Sequence, residues 1–421
     1  SIVNNNANAN EALAYLTIYS DHKANASLPK MTFRFFDASE GKVYNVKPAD
    51  GKEITFERDA IVGTDVNPVV LQNSNNYVQA IKLKKGWNWV SFNVIPTGST
   101  TLGQFLNSMS KWEVKDKIIT VNDTNTQTFS SVEDEKSPSG QKWNKGNQVV
   151  AINPEQMYSI FSQSDKTIYL EGEFNRRYIT VHKNWNRIGY NSTINLPISQ
   201  ALADYTEQAQ VGDVVKSHDQ FAIVSQTANG LVWKGSLQYL EAGKGYMLKR
   251  LADSEVKFLY PLYFNDSRYS GTSETAAPMR SAVNTATTMN IVAAVEGVET
   301  EAGDKLVVFR DGDRMAEAEL TIDDETQRLF YLNIGSDVNN NEALTFVLER
   351  DGEMVAMTGS HINYVADKVL GTPEQPTAIN FTALDQMPHD GQWYNVGGVL
   401  IGKKPTQSGV YIYNGKAVVV K

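Results

Sequence analysis

The chain has 421 residues, 39 basic against 48 acidic side chains, a formal charge of −9 and no cysteine. One hydrophobic core does not stretch to that length, so several modules are expected. The interspersed acidic charge argues against nucleic-acid partners, the missing cysteines exclude disulfides and cysteine-ligated metals, and no stretch approaches the ~18 consecutive apolar residues that membrane insertion needs.

In chain order, Ser1 to Glu11 are rich in Asn and Ala and lack the basic and apolar regions of a signal peptide. Leu13-Ala-Tyr-Leu-Thr-Ile-Tyr-Ser-Asp21 then reads like Leu329-Phe-Tyr-Leu-Asn-Ile-Gly-Ser-Asp337. Each is followed by an alternating strand, Met31-Thr-Phe-Arg-Phe and Leu344-Thr-Phe-Val-Leu, and then by Asp59-Ala-Ile-Val-Gly-Thr64 and Asp367-Lys-Val-Leu-Gly-Thr372. Four residues beyond each threonine stands a proline, Pro68 and Pro376. Three matched blocks in one order mark a duplicated module, A, with copies at 1–76 and 289–382. The second copy carries a further stretch from Met289 to Leu320 ahead of its match. The first copy therefore reads as cut at its N-terminus, and the chain as the C-terminal part of a longer parent.

Between the A copies lies a second duplication, B, at 77–174 and 175–264. Its anchors are Gly86-Trp-Asn-Trp-Val-Ser-Phe-Asn93 and Asn184-Trp-Asn-Arg-Ile-Gly-Tyr-Asn191. Downstream, Val114-Lys-Asp-Lys-Ile118 matches Val211-Gly-Asp-Val-Val215, Trp143 matches Trp233, and Met157-Tyr-Ser-Ile160 matches Gly245-Tyr-Met-Leu248. Period two puts Val90 and Phe92, like Ile188 and Tyr190, on the core face of the anchor strand. Helix signals are scarce, and the clearest are Thr101 to Ser110, with Leu102, Phe105 and Leu106 on one face, and Ile198 to Gln208.

Residues 265–288 have the Ser, Thr, Ala and Gly content of a linker. The tail, 383–421, ends in Gly409-Val-Tyr-Ile-Tyr and Lys416-Ala-Val-Val-Val, joined by the type I′ turn signal Asn414-Gly415. The fold expected throughout is all-β, as tandem β-sandwich-like modules with one short helix in each B copy.

The tail Trp393-Tyr-Asn-Val-Gly-Gly-Val-Leu-Ile, Pro405 and Gly409-Val-Tyr-Ile-Tyr-Asn-Gly-Lys-Ala-Val-Val-Val-Lys421 resembles the C-terminal sorting-domain family of type IX-secreted surface proteins. That resemblance covers roughly the last forty residues and implies export across an outer membrane, with surface attachment or release. The G-W-N anchor and the Gly243-Lys-Gly-Tyr246 strand look like repeat modules of large bacterial surface proteins. These resemblances imply a secreted or cell-surface location.

No catalytic signature stands out. The five histidines, His22, His182, His218, His361 and His389, form no close pair, and no nucleophile elbow, phosphate loop or dinucleotide fingerprint follows a strand. Asp337, Asn339 and Asn341 alternate as calcium ligands do, without the glycine and distal glutamate of an EF-hand, so a polar hairpin loop competes with a calcium site. Asp311-Gly-Asp313, Asp323-Asp324-Glu325 and Glu133-Asp134-Glu135 read as turns and solvated loops.

Aromatic residues retained in both B copies read as packing. Trp89, opposite Arg187 in the second copy, faces away from the core toward solvent or another module, and Trp112 has no aromatic counterpart. These two are the candidate residues for stacking on a glycan. The function expected is a non-catalytic structural or adhesive segment that extends or presents a region elsewhere, with a surface protein as partner. A carbohydrate-binding B pair is the alternative.

Overall fold

The computed structural model describes residues 2–3, 13–18, 31, 33–37, 42–50, 52–73, 77–96, 101–109, 112–122, 125–137, 139–148, 153–174, 177–192, 194–261, 285–323, 327–337, 341–358 and 362–421. The fold is all-β, as expected: among the described residues α-helix is confined to Leu102–Ser108, Ile198–Ala201 and Ala203–Thr206. None of these is long and apolar enough to cross a membrane. Of the linker expected at 265–288, only 285–288 is described, and Thr287 already opens a strand.

The first helix has a capping box, in which the Thr101 hydroxyl accepts from the Gln104 amide at 3.1 Å and the Gln104 carbonyl group accepts from the Thr101 amide at 2.9 Å. The second helical expectation, Ile198 to Gln208, is broken. Its backbone leaves helical geometry at Leu202 (φ −107°, ψ 20°), which lets Leu202 join Ala201 and Tyr205 in the core.

Both B modules build a five-stranded antiparallel sheet in one order. In the first it runs Gly86–Val90, Tyr158–Ser162, Lys117–Asn122, Asn125–Glu133, Gln141–Trp143; in the second, Asn184–Gly189, Gly245–Arg250, Val214–Lys216, Phe221–Thr227, Gly230–Gly235. Period two of the anchor strand buries Val90 and Phe92, and Ile188 and Tyr190, as expected. The shared Trp-Asn pair has a backbone reason. Asn88 accepts from the Lys84 amide at 2.8 Å and donates to the Lys84 carbonyl at 2.7 Å, and Asn186 makes the same two bonds with His182. Each asparagine thus clamps the turn into the anchor strand, which starts at positive φ (Gly86 96°, Asn184 73°), where Gly and Asn are tolerated.

A second device occurs three times among the described residues. Buried Asp116, Asp213 and Asp304 each follow a positive-φ residue, Lys115, Gly212 and Gly303, and each accepts from the amide three residues back, Glu113, Gln210 and Glu301. Asp116 and Asp213 also accept from Gln163 and Leu251 at the far end of the neighbouring strand. Each has a cation close by: Lys166 at 2.7 Å, Arg250 at 3.9 Å and Arg350 at 2.7 Å.

The second A module packs two sheets over one core. One runs Thr321–Asp323, Gln327–Ser336, Thr287–Glu296, Val369–Leu370, with Thr377–Asn380 also parallel to Thr287–Glu296. The other runs Asp313–Glu319, Lys305–Arg310, Ala343–Arg350, Glu353–Met357, Thr382–Ala383. Met289, Ile291, Leu306, Val308, Phe330, Leu332, Phe346 and Leu348 fill the space between.

The tail forms a third layer. Strands Trp393–Tyr394, Gly409–Tyr413 and Lys416–Val420 place Tyr394, Val410 and Ile412 on Val307, Phe309, Val347 and Met357, so 383–421 shares a core with 289–382. Asn414 and Gly415 both take positive φ, 50° and 72°, as a type I′ turn demands. Of the first A copy, Phe33–Asp37, Lys42–Pro48 and Leu71–Asn73 form a three-stranded sheet.

Asn186→Ala removes the clamp and leaves the His182 backbone groups to solvent. A loss of about 1–2 kcal/mol is expected in urea unfolding, with the slope unchanged.

Candidate functional site

The two tryptophans expected to stack on a sugar are both buried, Trp89 at 6% exposure and Trp112 at 9%. Neither presents a ring face to solvent, so they do not form the expected binding pair. Trp112 belongs to the core of the first B module, where its Nε1 donates to the Leu106 carbonyl at 2.9 Å and its ring meets Trp143 edge-on at 5.1 Å. Trp89 is on the opposite face of that module's sheet, packed with Met157, Met247 and Trp185. Its face is an interface between modules.

The calcium expectation fares no better. Asp337 accepts from the Ala286 amide at 2.8 Å, Asn341 sits at φ 58° as a turn residue, and Asn339 lies outside the described residues. Among the described residues no three acidic or histidine side chains converge to hold a metal.

What the structure does build is a junction of three modules. The two B copies meet through equivalent positions related by an approximate twofold axis. Val90 bridges Lys244 while its counterpart Ile188 bridges Gln156. The Ser91 amide donates to Gly243 O at 3.0 Å while the Gly189 amide donates to Glu155 O at 2.8 Å. Such an isologous contact uses one patch twice and closes on itself, unlike the head-to-tail contact of an open array.

The side chains at this axis are not symmetric. Arg187 donates to Ser159 Oγ, whereas the matched positions, Trp89 and Met247, pack apolar on apolar. Met157 likewise faces Gly245: a β-carbon on Gly245 would fall 2.3 Å from Met157 Cγ. On Gly189 it would fall 2.3 Å from Pro154 O, so both glycines are required by close approach.

The second A module docks on the same region. Val214, Phe221 and Ile223 of the second B sheet pack on Val292, Leu329 and Tyr331, with Trp185 and Val369 at the border. Strand Gln327–Ser336 is therefore buried on both faces, one toward its own core and the other toward the B module. Polar groups rim the contact: Asn333 donates to His218 O at 3.0 Å, Asn290 to Asn333 Oδ1 at 2.7 Å, and Gln226 N and Ser225 Oγ to Glu374.

Lys216 stands where all three meet. It is fully buried, and its Nζ donates to Asp367 Oδ1 at 2.7 Å and to Thr288 O at 3.2 Å. The same nitrogen lies 4.5 Å from the Trp185 ring centroid and 5.9 Å from that of Trp89. Trp185 Nε1 in turn donates to Asp367 O at 3.0 Å, so one residue of the A module anchors both ammonium and indole. Asp367 can do so because its backbone turns there, with φ 61°.

Burial lowers the Lys216 amine from its ordinary value; Asp367 opposes that shift, and Lys249 and Arg187 add to it. Burial likewise brings Arg187 down to about 10, again opposed by Asp367. An amine enclosed by two indoles, a carbonyl and a carboxylate has no open side for a substrate. Its chemistry is that of a structural cation.

Sequence reasoning missed Lys216. One signal points to it: matching Asp116 with Asp213 sets Ile119 of the first B copy opposite Lys216, an apolar residue where a solvated lysine would have a polar counterpart.

The pair's asymmetry under substitution is testable. Asp367→Ala leaves a buried ammonium without its anion and is expected to cost about 2–3 kcal/mol, moderated because Asp367 keeps some solvent contact. Lys216→Met fills the same space without a charge and is expected to unfold within about 1 kcal/mol of the parent in urea.

His218 adds a pH dependence. Burial lowers its imidazole below the ordinary 6.5; the bond to Thr285 O and the charges of Asp219 and Asp337 oppose this, and Lys244 supports it. The unfolded chain therefore takes up a proton before the folded one does, so the contribution is complete above pH 6.5 and declines as pH falls below it. The urea midpoint is expected to drop between pH 7.5 and 5.5, and His218→Gln to flatten that drop.

No family model, curated protein or solved structure matches the chain.

Proposed function

We propose that this chain is a non-catalytic structural segment of a secreted or cell-surface protein, in which the two B modules and the second A module act as one rigid block. The observation that carries the reading is Lys216, a fully buried ammonium of the second B module whose carboxylate and carbonyl partners come from the second A module and whose indole neighbours come from both B copies. A buried charge that is paired only when the second A module is docked on the second B module, and that is walled in by an indole of the first B module, favours a single arrangement of them over a flexible string. The tail's likeness to sorting domains supports the location. Because that tail shares a core with the second A module, the block and its proposed export signal are mechanically continuous.

The carbohydrate-binding reading rested on exposed Trp89 and Trp112 and loses its site with their burial.

Calorimetry tests the block directly. Residues 77–261 and 285–421 are expected to unfold in one transition, and Phe221→Ala, which empties the contact with Tyr331, to split it by removing about 3 kcal/mol from the junction. Separate transitions in the unmodified chain would overturn the proposal. Antibodies raised against the block are expected to label intact producing cells, and labelling only after lysis would contradict the location.

A further inference from the structure

The tail sheet has one face in the core and one turned outward. Tyr394, Val410 and Ile412 point inward onto the A module. Alternation therefore turns Trp393, Tyr411 and Tyr413 outward, and register sets Trp393 beside Tyr413 and Tyr411 beside Val418. The Trp393 and Tyr413 rings lie 4.7 Å apart, centroid to centroid, at 32°.

A further segment extends this sheet at its edge. Leu400 bridges Tyr394, Ile401 N donates to Trp393 O at 2.7 Å, and Asn395 N donates to Val399 O at 2.9 Å. Val399, Leu400 and Ile401 are consecutive aliphatic residues, 62%, 57% and 41% exposed. A clamped turn holds them there. Gly398 and Gly402 bracket them at φ 75° and 79°, and Asn395 Oδ1 accepts from Gly397 N at 3.0 Å and from Val399 N at 2.9 Å. Isolated exposed aliphatic residues are ordinary, but three in a row beside outward aromatic rings mark an interaction surface.

Charge identifies what the surface meets. Residues 391–421 contain four lysines and no acidic residue, which leaves 35 basic against 48 acidic side chains in the rest of the chain. So sharp a local reversal of charge calls for an anionic partner. Lys421 is drawn to Asp313 at 3.7 Å. Lys403, Lys404 and Lys416 are exposed; the first two closely follow the aliphatic run, and Lys416 is in register with Tyr413. An aliphatic tip beside tryptophan, tyrosine and lysine matches the layers of a bilayer surface. The tip suits the acyl boundary, the rings suit headgroup depth, and the ammonium groups suit phosphates. A nucleic acid would leave the aliphatic tip without an apolar partner.

We propose that this face of the tail docks on an anionic lipid surface, with Val399, Leu400 and Ile401 inserted and Lys403, Lys404 and Lys416 on headgroup phosphates. Three aliphatic residues do not span a bilayer, so the contact is peripheral and reversible. The inner face of the same sheet stays on Val307, Phe309, Val347 and Met357, so docking leaves the Lys216 junction as it is.

Co-flotation of the full chain with vesicles tests this. Binding is expected to vesicles of one part phosphatidylglycerol to two parts phosphatidylcholine and not to phosphatidylcholine alone, and it is expected to weaken as salt is raised. Two combined variants probe the face: Lys403→Gln with Lys404→Gln and Lys416→Gln, and Val399→Ser with Leu400→Ser and Ile401→Ser. Each is expected to weaken binding at least about tenfold. All six side chains are exposed, so the urea midpoint is expected to hold, which separates lost binding from lost fold. The proposal is overturned if the parent chain does not bind the anionic vesicles, if it binds both vesicle types equally, or if binding survives either variant. Purified chain and defined vesicles make the result independent of where the producing cell places the protein.

Discussion

A single buried ammonium constrains how the modules of this protein are arranged. Lys216 lies inside the second B module's face, yet its anion is on the A module and one of its two indole neighbours is on the first B module. An unpaired charge of that burial is expensive, and pairing it requires Asp367 to be in place. The apolar contact of Val214, Phe221 and Ile223 with Val292, Leu329 and Tyr331 supplies the driving force for docking, and the ion pair restricts its geometry.

The paired B modules illustrate how a duplication becomes a specific interface. Two copies of one module can meet through the same patch, and here they do, backbone bridge for backbone bridge. The side chains have since diverged in complementary ways. Trp89 packs with Met247 where the twofold-related pair is Arg187 with Ser159, and Met157 fills the room that Gly245 leaves. Two first copies would place methionine against methionine, and two second copies would leave a void. The asymmetry therefore favours the pairing within one chain over pairing between like modules.

Local devices were legible in the sequence and long-range contacts were not. The anchor strand's core face, the Asn414-Gly415 turn, the capped helix after Thr101 and the all-β character follow from residue type and period, which depend on near neighbours. Trp89 was read as facing solvent or another module, and only the partner's surface decides between the two. Trp112 lacks an aromatic counterpart and so reads as a residue for stacking on a glycan; its burial follows from its contact with Trp143, which sequence spacing does not reveal. The third buried aspartate, Asp304 in Glu301-Ala-Gly-Asp304, follows the turn of Gln210-Val-Gly-Asp213, but a four-residue likeness between different modules is too short to stand alone. The helix expected through Gln208 failed at Leu202, where packing outweighed helical periodicity.

The most direct measurement of the rigid block is a distance between modules that do not adjoin in sequence. The chain has no cysteine, so Lys142→Cys in the first B module and Lys404→Cys in the tail layer give two unique, exposed labelling positions. Pulsed electron–electron double resonance between spin labels there should return one narrow distance distribution if the three modules are locked around Lys216. A broad or multi-peaked distribution in this otherwise unmodified chain would contradict the account.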